Sequence, residues 1–386
     1  MKGHIRQRGE KSWAVVLDLG RDAGGKRRQK WHTVKGTKKD AQRELARLLH
    51  ELNTGAYVEP TAMTLAVYLD RWLHDYAKSN VSPKTYERYE EIVRLHLKPA
   101  LGHVQLSKLQ PLQIARYYSD ALVSGRADGG GGLSARSVLH HHRVLRSALH
   151  QAVKWLLLPR NPADAVDPPR PQNREMKALD EEATATLLRA AASTRLSLPV
   201  MLAVTTGLRR GEILGLRWED IDFQSATLAV RQSIEQTREG LRFKQPKTVK
   251  GRRVVALPSL AIEALKQHRA KQAATRLALG GGYSDNDLVC AREDGTPWPP
   301  DALSTAFVGL VRKAGVPVVR FHDLRHTHAT QLLRQGVHPK IVSERLGHST
   351  VGITLDVYSH VLPGMQEEAA MRTDVALRKA LGVPAD

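Results

Sequence analysis

Five prolines in seventeen residues, in PRNPADAVDPPRPQNRE (159–175), limit what this chain of 386 residues can become. A proline lacks the amide hydrogen that helices and sheet ladders need, and it pushes the residue before it out of helical backbone. No regular element crosses such a stretch. A chain of this length also exceeds what one hydrophobic core normally serves. The stretch therefore reads as a linker between separately folding regions.

Upstream of it, residues 64–160 carry helical periodicity almost throughout. TLAVYLDRWLHDYAKS has an apolar stripe, SPKTYERYEEIVRLHLKPAL opens with Ser82 as cap and Pro83 in the first turn, and QPLQIARYYSDALVS follows. After the loop ADGGGG (127–132), SARSVLHHHRVLRSALHQAVKWLLL predicts one long helix over 134–158. The first 57 residues alternate instead: HIRQR, SWAVVLDL and KRRQKWHTV predict three antiparallel strands. A helix then starts at Thr37, with Asp40 three residues on, shows an apolar stripe of Ala41, Leu45, Leu48, Leu49 and Leu52, and ends at Gly55.

Downstream the pattern is mixed. LDEEATATLLRAAAS predicts a capped helix, LSLPVMLAVTTG an apolar helix ending at Gly207, and LRRGEILGLRWEDIDF the start of another. ATLAVRQSI, GLRFKQPKT and RRVVALP read as three strands of a small sheet, and the rest is helical to about Leu381. The expected fold class is multidomain α+β. It comprises a three-stranded sheet plus helix at 1–57, an all-helical domain at 62–160, a linker at 161–175, and a mainly helical domain with a small antiparallel sheet at 176–386.

Charge narrows the partner. Lys and Arg total 59 against 39 Asp and Glu, a net charge of +20, which favours a polyanion, with nucleic acid ahead of a membrane surface. Residues 1–60 alone hold 14 basic and 7 acidic side chains, which favours a DNA-facing sheet over a merely solvated basic surface. No apolar run approaches the length of about 18 residues that a membrane span needs, and MKGHIRQRGEKSW lacks the apolar core of a signal peptide. The expectation is a soluble, cytoplasmic, nucleoid-associated protein. Cys290 is the one cysteine, which excludes internal disulfides and sites built on several thiolates; within the strand-like DLVCA it reads as a small buried residue.

Four separated pieces hold the candidate chemistry. In TTGLRRGEILGL, Arg209 stands at the head of a helix whose Ile213, Leu214 and Leu216 form a buried face, and a fixed guanidinium fork grips a phosphate as no lysine can. Its neighbour Arg210 is an equal rival on residue chemistry, and Glu212, three residues on, either orients Arg209 or makes a plain surface ion pair. In KQPKTVKGRRVV, Lys247 lies at a hairpin turn. HDLRHTHATQLL places His322 and Arg325 three apart at a helix start, and ERLGHSTVGITLDVYSHV carries His348 and, ten residues later, Tyr358. Each signal alone is weak. The consecutive His140, His141 and His142 point in different directions and read as a polar helix face rather than a ligand set.

Taken together, TGLRRGE, PKT…RR, HDLRHTHAT and LGHSTVGITLDVYSH resemble, in order and spacing, the catalytic motifs of tyrosine recombinases, specifically the phage-type and conjugative-element integrases. The resemblance covers about the last 210 residues. It selects Arg209 over Arg210. It implies that Arg209 and Arg325 hold the scissile phosphate, that Lys247 protonates the departing 5′ oxygen, that His322 and His348 hydrogen-bond and handle protons, and that Tyr358 is the nucleophile. His326 follows with a structural or supporting role, and His328 and His360 as bystanders. The helical domain would then bind core-type and the N-terminal module arm-type attachment sites on double-stranded DNA. Four protomers would meet at synapsis, the C-terminal helix (364–381) docking on a neighbour, or packing in cis, through Met365, Ala369, Ala376 and Leu377. An excision factor or a host DNA-bending protein are further expected partners. No cofactor and no metal are expected.

Two competing readings follow the same residues. The His322/His326 pair has zinc spacing, but Asp323 stands where a metalloprotease motif needs Glu, and Arg325 would set a positive charge beside the ion. A catalytically silent DNA-binding regulator would tolerate loss of any of the six residues, yet all six are present. A resolvase or topoisomerase with the same chemistry is set aside by the extra N-terminal module.

Overall fold

The computed structural model describes residues 3–21, 24–53, 62–172, 176–246, 251–358 and 365–382, and only some of the side chains in the last two helices. It divides into two compact units, Met1–Asn173 and Arg174–Asp386.

The first unit opens with β1 (Gly3–Gly9), β2 (Ser12–Arg21) and β3 (Arg27–Lys35), an antiparallel sheet with β2 in the middle, followed by α1 (Lys38–Asn53). The period-2 alternation decides which residues meet the helix: Ile5, Val15, Leu17 and Val34 cluster with Leu45, Leu48 and Leu49 of α1. The register sets His4, Val16 and Trp31 in one row and Arg6, Ala14 and Thr33 in the next, on the opposite face. There the Arg8 guanidinium lies 5.1 Å from the centre of the Trp31 ring. Thr37 and Asp40 start α1 as expected, the Thr37 amide and hydroxyl both donating to the Asp40 carboxylate. The expected end at Gly55 lies outside the described residues.

A helical bundle follows. α2 (Leu65–Trp72) runs through a π turn (Leu73–Ala77) into α3 (Lys78–Asn80), and α4 (Pro83–Ile92) through another (Val93–Leu97) into α5 (Lys98–Leu101); α6 (Pro111–Ser124) and α7 (Ala135–Lys154) complete it. Tyr68, Leu69, Trp72, Leu97, Ile114, Leu145 and Leu149 fill its core. Pro83 occupies the first turn of α4, but the Ser82 hydroxyl meets that of Thr85 at 2.8 Å instead of capping a backbone amide. α7 stops at Lys154 rather than at 158, because Leu156 takes a left-handed backbone with φ 57°. The reading of His140–His142 as a polar face is corrected: only His140 is exposed. The neighbouring rings lie in the core, His141 Nδ1 2.7 Å from the Tyr117 hydroxyl and His142 Nδ1 2.8 Å from that of Tyr118. Two adjacent residues on a helix diverge by roughly 100°, yet the paired tyrosines of α6 diverge equally and meet both.

The second unit contains α8 (Glu181–Ala191), α9 (Ser197–Thr206), α10 (Arg210–Leu214), β4 (Ile221–Asp222), β5 (Thr227–Val230), β6 (Ser233–Thr237), β7 (Gly240–Lys244) and β8 (Arg253–Ala256). After these come α11 (Ser259–Leu279), α12 (Pro300–Ala314), α13 (Asp323–Arg334), α14 (Pro339–Leu346), α15 (Val351–Tyr358) and α16 (Met365–Leu381). The single three-stranded sheet expected here is two structures. β4, β5 and β8 form one antiparallel sheet, and β6 and β7 a separate hairpin. ATLAVRQSI breaks at Arg231 and Gln232, where the Gln232 side chain donates to the Gly215 carbonyl, and β6 then runs against α10. That approach requires glycine, since a Cβ at Gly211 would lie 2.5 Å from the Ile234 carbonyl oxygen. DLVCA is irregular chain held by isolated bridges (Arg217 with Leu288, Ala291 with Pro297), with Cys290 buried and its thiol pushed up to about 12 by that burial. Among the described residues no helix is long and apolar enough to cross a membrane.

Candidate active site

Two helix ends and two helix starts build the site. α9 ends at Gly207, in left-handed backbone with φ 66°, and α14 ends at Gly347 in the same conformation with φ 69°. Helix ends expose unpaired carbonyl oxygens that attract cations. Arg325, in the first turn of α13 and 3% exposed, donates to both ends: Nη1 to the Gly207 oxygen at 2.7 Å and Nη2 to the Leu346 oxygen at 2.6 Å. Arg209 precedes α10, its Nη2 3.5 Å from the Gly347 oxygen.

Glu212 does more than either alternative raised for it. It is 6% exposed, so the surface-pair reading is wrong, and its carboxylate accepts from the Arg209 backbone amide (2.9 Å), Arg209 Nη1 (2.7 Å) and Arg253 Nη2 (2.9 Å). Burial alone would raise its pKa; Arg253 and Arg209 outweigh that and hold it below the ordinary carboxylate range. Arg253 in turn donates Nε to the Arg345 carbonyl at 2.7 Å. Arg210, the rival of Arg209, points elsewhere, to the Pro300 carbonyl at 3.0 Å and to Ser304 and Asp301.

The histidines sit within this cationic field. His348, just after α14, places Nδ1 2.8 Å from the Thr354 hydroxyl; burial, then Arg325 and Arg209, lower its pKa to about 4. His322 precedes α13 with its ring partly open to solvent, and crowding by protein atoms, then Arg325, push it below the ordinary imidazole range. His326 stands edge-on to His322 with ring centres 5.3 Å apart, lowered to about 4 by burial and then by His322. All three are neutral at pH 7 in the free protein. Among the described residues no group of three metal-ligating side chains forms.

Arg209, Arg325, His322 and His348 thus share one locality. Tyr358 is the last residue of α15, and its side chain lies outside what the structure describes, as do Lys247 and His360. Sequence reasoning did not raise Arg345 and set His328 aside as a bystander. His328 stands four residues after buried Leu324, and Arg345 three after buried Val342, so helical phase marks both as inward or flanking. Arg253, inside the quoted RR, gave no signal beyond that motif.

The chain matches the phage integrase family over residues 174–364, and the family's N-terminal SAM-like domain over 64–122. A tyrosine recombinase XerC-like protein of Caldanaerobacter subterraneus is 32% identical, covering 95% of this chain and 97% of the relative. The ICEBs1 integrase of Bacillus subtilis is 25% identical, over 94% and 96%. Among solved structures, the Tn1549 transposon integrase in complex with a circular intermediate DNA superposes with a TM-score of 0.66 at 19% identity, covering 81% of this chain and 99% of that one. The chain belongs to the phage integrase family and is a site-specific tyrosine recombinase.

Proposed function

We propose that this recombinase integrates or excises a mobile DNA element, with Tyr358 as nucleophile and Arg209, Lys247, His322, Arg325 and His348 as the groups that serve it. The partner is double-stranded DNA; relatives solved with DNA, including a lambda integrase dimer bound to a core site, support this. The phenolic oxygen of Tyr358 attacks phosphorus, the bond to the 5′ oxygen breaks, and Lys247 supplies that oxygen with a proton. A 3′-phosphotyrosine and a free 5′ hydroxyl result. A 5′ hydroxyl of another strand reverses the step, so the phosphodiester energy is retained and neither ATP nor metal is consumed.

One observation carries the reading. Arg209 and Arg253 share the one carboxylate of Glu212, and Arg325 donates to two helix-end carbonyl oxygens, so positive charge is left over for the equatorial oxygens of a phosphoryl transition state. His322 and His348, neutral at pH 7, donate hydrogen bonds; with the Thr354 hydroxyl donating to Nδ1 of His348, the Nε2 proton is left for the phosphate. Phenol has a pKa of about 10, and the same cations stabilise its phenolate.

The helical bundle binds the core site, and the N-terminal module, whose open face carries His4, Arg6, Arg8 and Trp31, binds arm sites. Four protomers assemble at synapsis. Exposed Met371, Val375, Leu377 and Leu381 on α16 support docking of that helix on a neighbour; Ala376 is exposed as well, while Met365 and Ala369 have undescribed side chains. An excision factor or host DNA-bending protein completes the assembly.

The test is trapping. A nicked duplex bearing the element's core site yields a covalent adduct with the wild-type protein and none with Tyr358→Phe; an adduct from the Phe variant removes Tyr358 from this role. Deleting residues 1–57 impairs integration more than cleavage of an isolated core site, and equal losses in both would refute the arm-site assignment.

A further inference from the structure

The two helix ends that hold Arg325 and Arg209 are themselves stitched together. His328 of α13 is 5% exposed, its Nδ1 2.9 Å from the Val204 carbonyl and its Nε2 3.0 Å from Arg345 Nε. A guanidinium only donates and a carbonyl only accepts, so these partners fix one neutral tautomer: Nδ1–H donates to Val204 and the Nε2 lone pair accepts from Arg345. Arg345 Nη2 donates to the Thr205 carbonyl at 2.8 Å. Val204 and Thr205 lie in the last turn of α9, and Arg345 in the last turn of α14. The His328 ring also rests on the Gly207 turn, where a Cβ would fall 2.7 Å from its Cδ2.

Arg325 bridges the same two ends through the Gly207 and Leu346 carbonyls, and Arg209 reaches the adjoining Gly347 carbonyl. The separation of the two ends therefore sets where both guanidiniums stand. Resting on the site assigned above, we propose that His328 and Arg345 are positioning residues for strand cleavage: by tying the end of α9 to the end of α14 they set the spacing of the Arg209/Arg325 pair that receives the phosphate.

The Arg345 branch gives a discriminating test. Gln at position 328 reaches outward as Nε2 does and can accept from Arg345; Asn reaches only as far as Nδ1 and can hydrogen-bond Val204 alone. Both leave a smaller polar group in the same buried place. Single-turnover adduct formation on the nicked core-site duplex, at saturating protein, is measured with the DNA dissociation constant alongside. His328→Asn is expected to slow the step about 100-fold, the scale of a misplaced catalytic constellation, with DNA affinity unchanged, and His328→Gln to recover most of that rate. Equal rates for Asn and Gln, or a loss confined to DNA affinity, overturn the inference. If the Asn variant does not fold, Arg345→Lys carries the test: it keeps the charge but not the fork, so a slowed step supports the proposal and a wild-type rate overturns it. An adduct formed by Tyr358→Phe indicts the site assignment instead, whatever the variants at 328 do.

Discussion

Two histidine-rich helices in this chain look alike as strings and differ as chemistry. In α7, His141 and His142 are buried among apolar side chains and answered by the phenols of Tyr117 and Tyr118. In α13 and just beyond α14, His322, His326, His328 and His348 are crowded by guanidiniums. Both sets are neutral at pH 7, with His141 and His328 each lowered to about 3, first by burial. In the bundle the charges around His142 are of both signs, Arg143 and Arg146 against Asp164 and Asp167. In the second unit their neutrality coexists with a strong positive field that a bound anion would relieve. The same residue type thus fills a core in one place and serves a charged site in the other.

The comparison breaks most sharply under Arg325→Ala. Loss of a guanidinium that neutralises a phosphoryl transition state typically costs about 10³-fold or more in rate, so adduct formation should fall by that order while core-site affinity falls far less. A variant retaining a tenth of the wild-type rate would show that the second cluster is as structural as the first.

Acid separates the two clusters next. A histidine depressed in the folded state contributes stability that is complete above the unfolded pKa near 6.5 and is lost as pH falls toward the folded value. With His141 at about 3, the bundle should lose roughly 2–3 kcal/mol between pH 7 and 4.5, read from rate-corrected hydrogen exchange in α7. Sulfate should slow the parallel loss in α13 and leave α7 unaffected. Equal protection of both helices would erase the distinction.

The smallest effect belongs to Tyr117→Phe. It leaves His141 Nδ1 without its phenol partner, and should cost about 1–3 kcal/mol of bundle stability in urea unfolding without altering the rate of adduct formation below the melting range.

Much of this was legible in the residues. Alternation placed the N-terminal strands, and the ordered motifs named Arg209, His322, Arg325 and His348, which the fold brings into one locality. What was not legible depended on partners distant in sequence. Nothing local tells that Tyr117 and Tyr118 will meet His141 and His142, or that ATLAVRQSI must break so that β6 can pass α10 at Gly211. Nothing local to His328 shows that it will meet Arg345 and the Val204 carbonyl at the end of α9, 124 residues earlier.

Holding Arg325 at helix-end carbonyls has a thermodynamic corollary. Each helix C-terminus offers only about half an elementary charge, and the ends of α9 and α14 are shared by Arg325, Arg209 and Arg345, so they fix three guanidiniums without cancelling them. The folded second unit is then partly loaded against its own electrostatics, and any oxyanion that fills the site does work on the folding equilibrium. Melting temperature should rise with inorganic sulfate or phosphate by the mass-action law for a ligand that prefers the native state. For this chain, target occupancy and conformational stability are two readings of one free energy, and a recombinase waiting for DNA is held below the stability its own fold can reach.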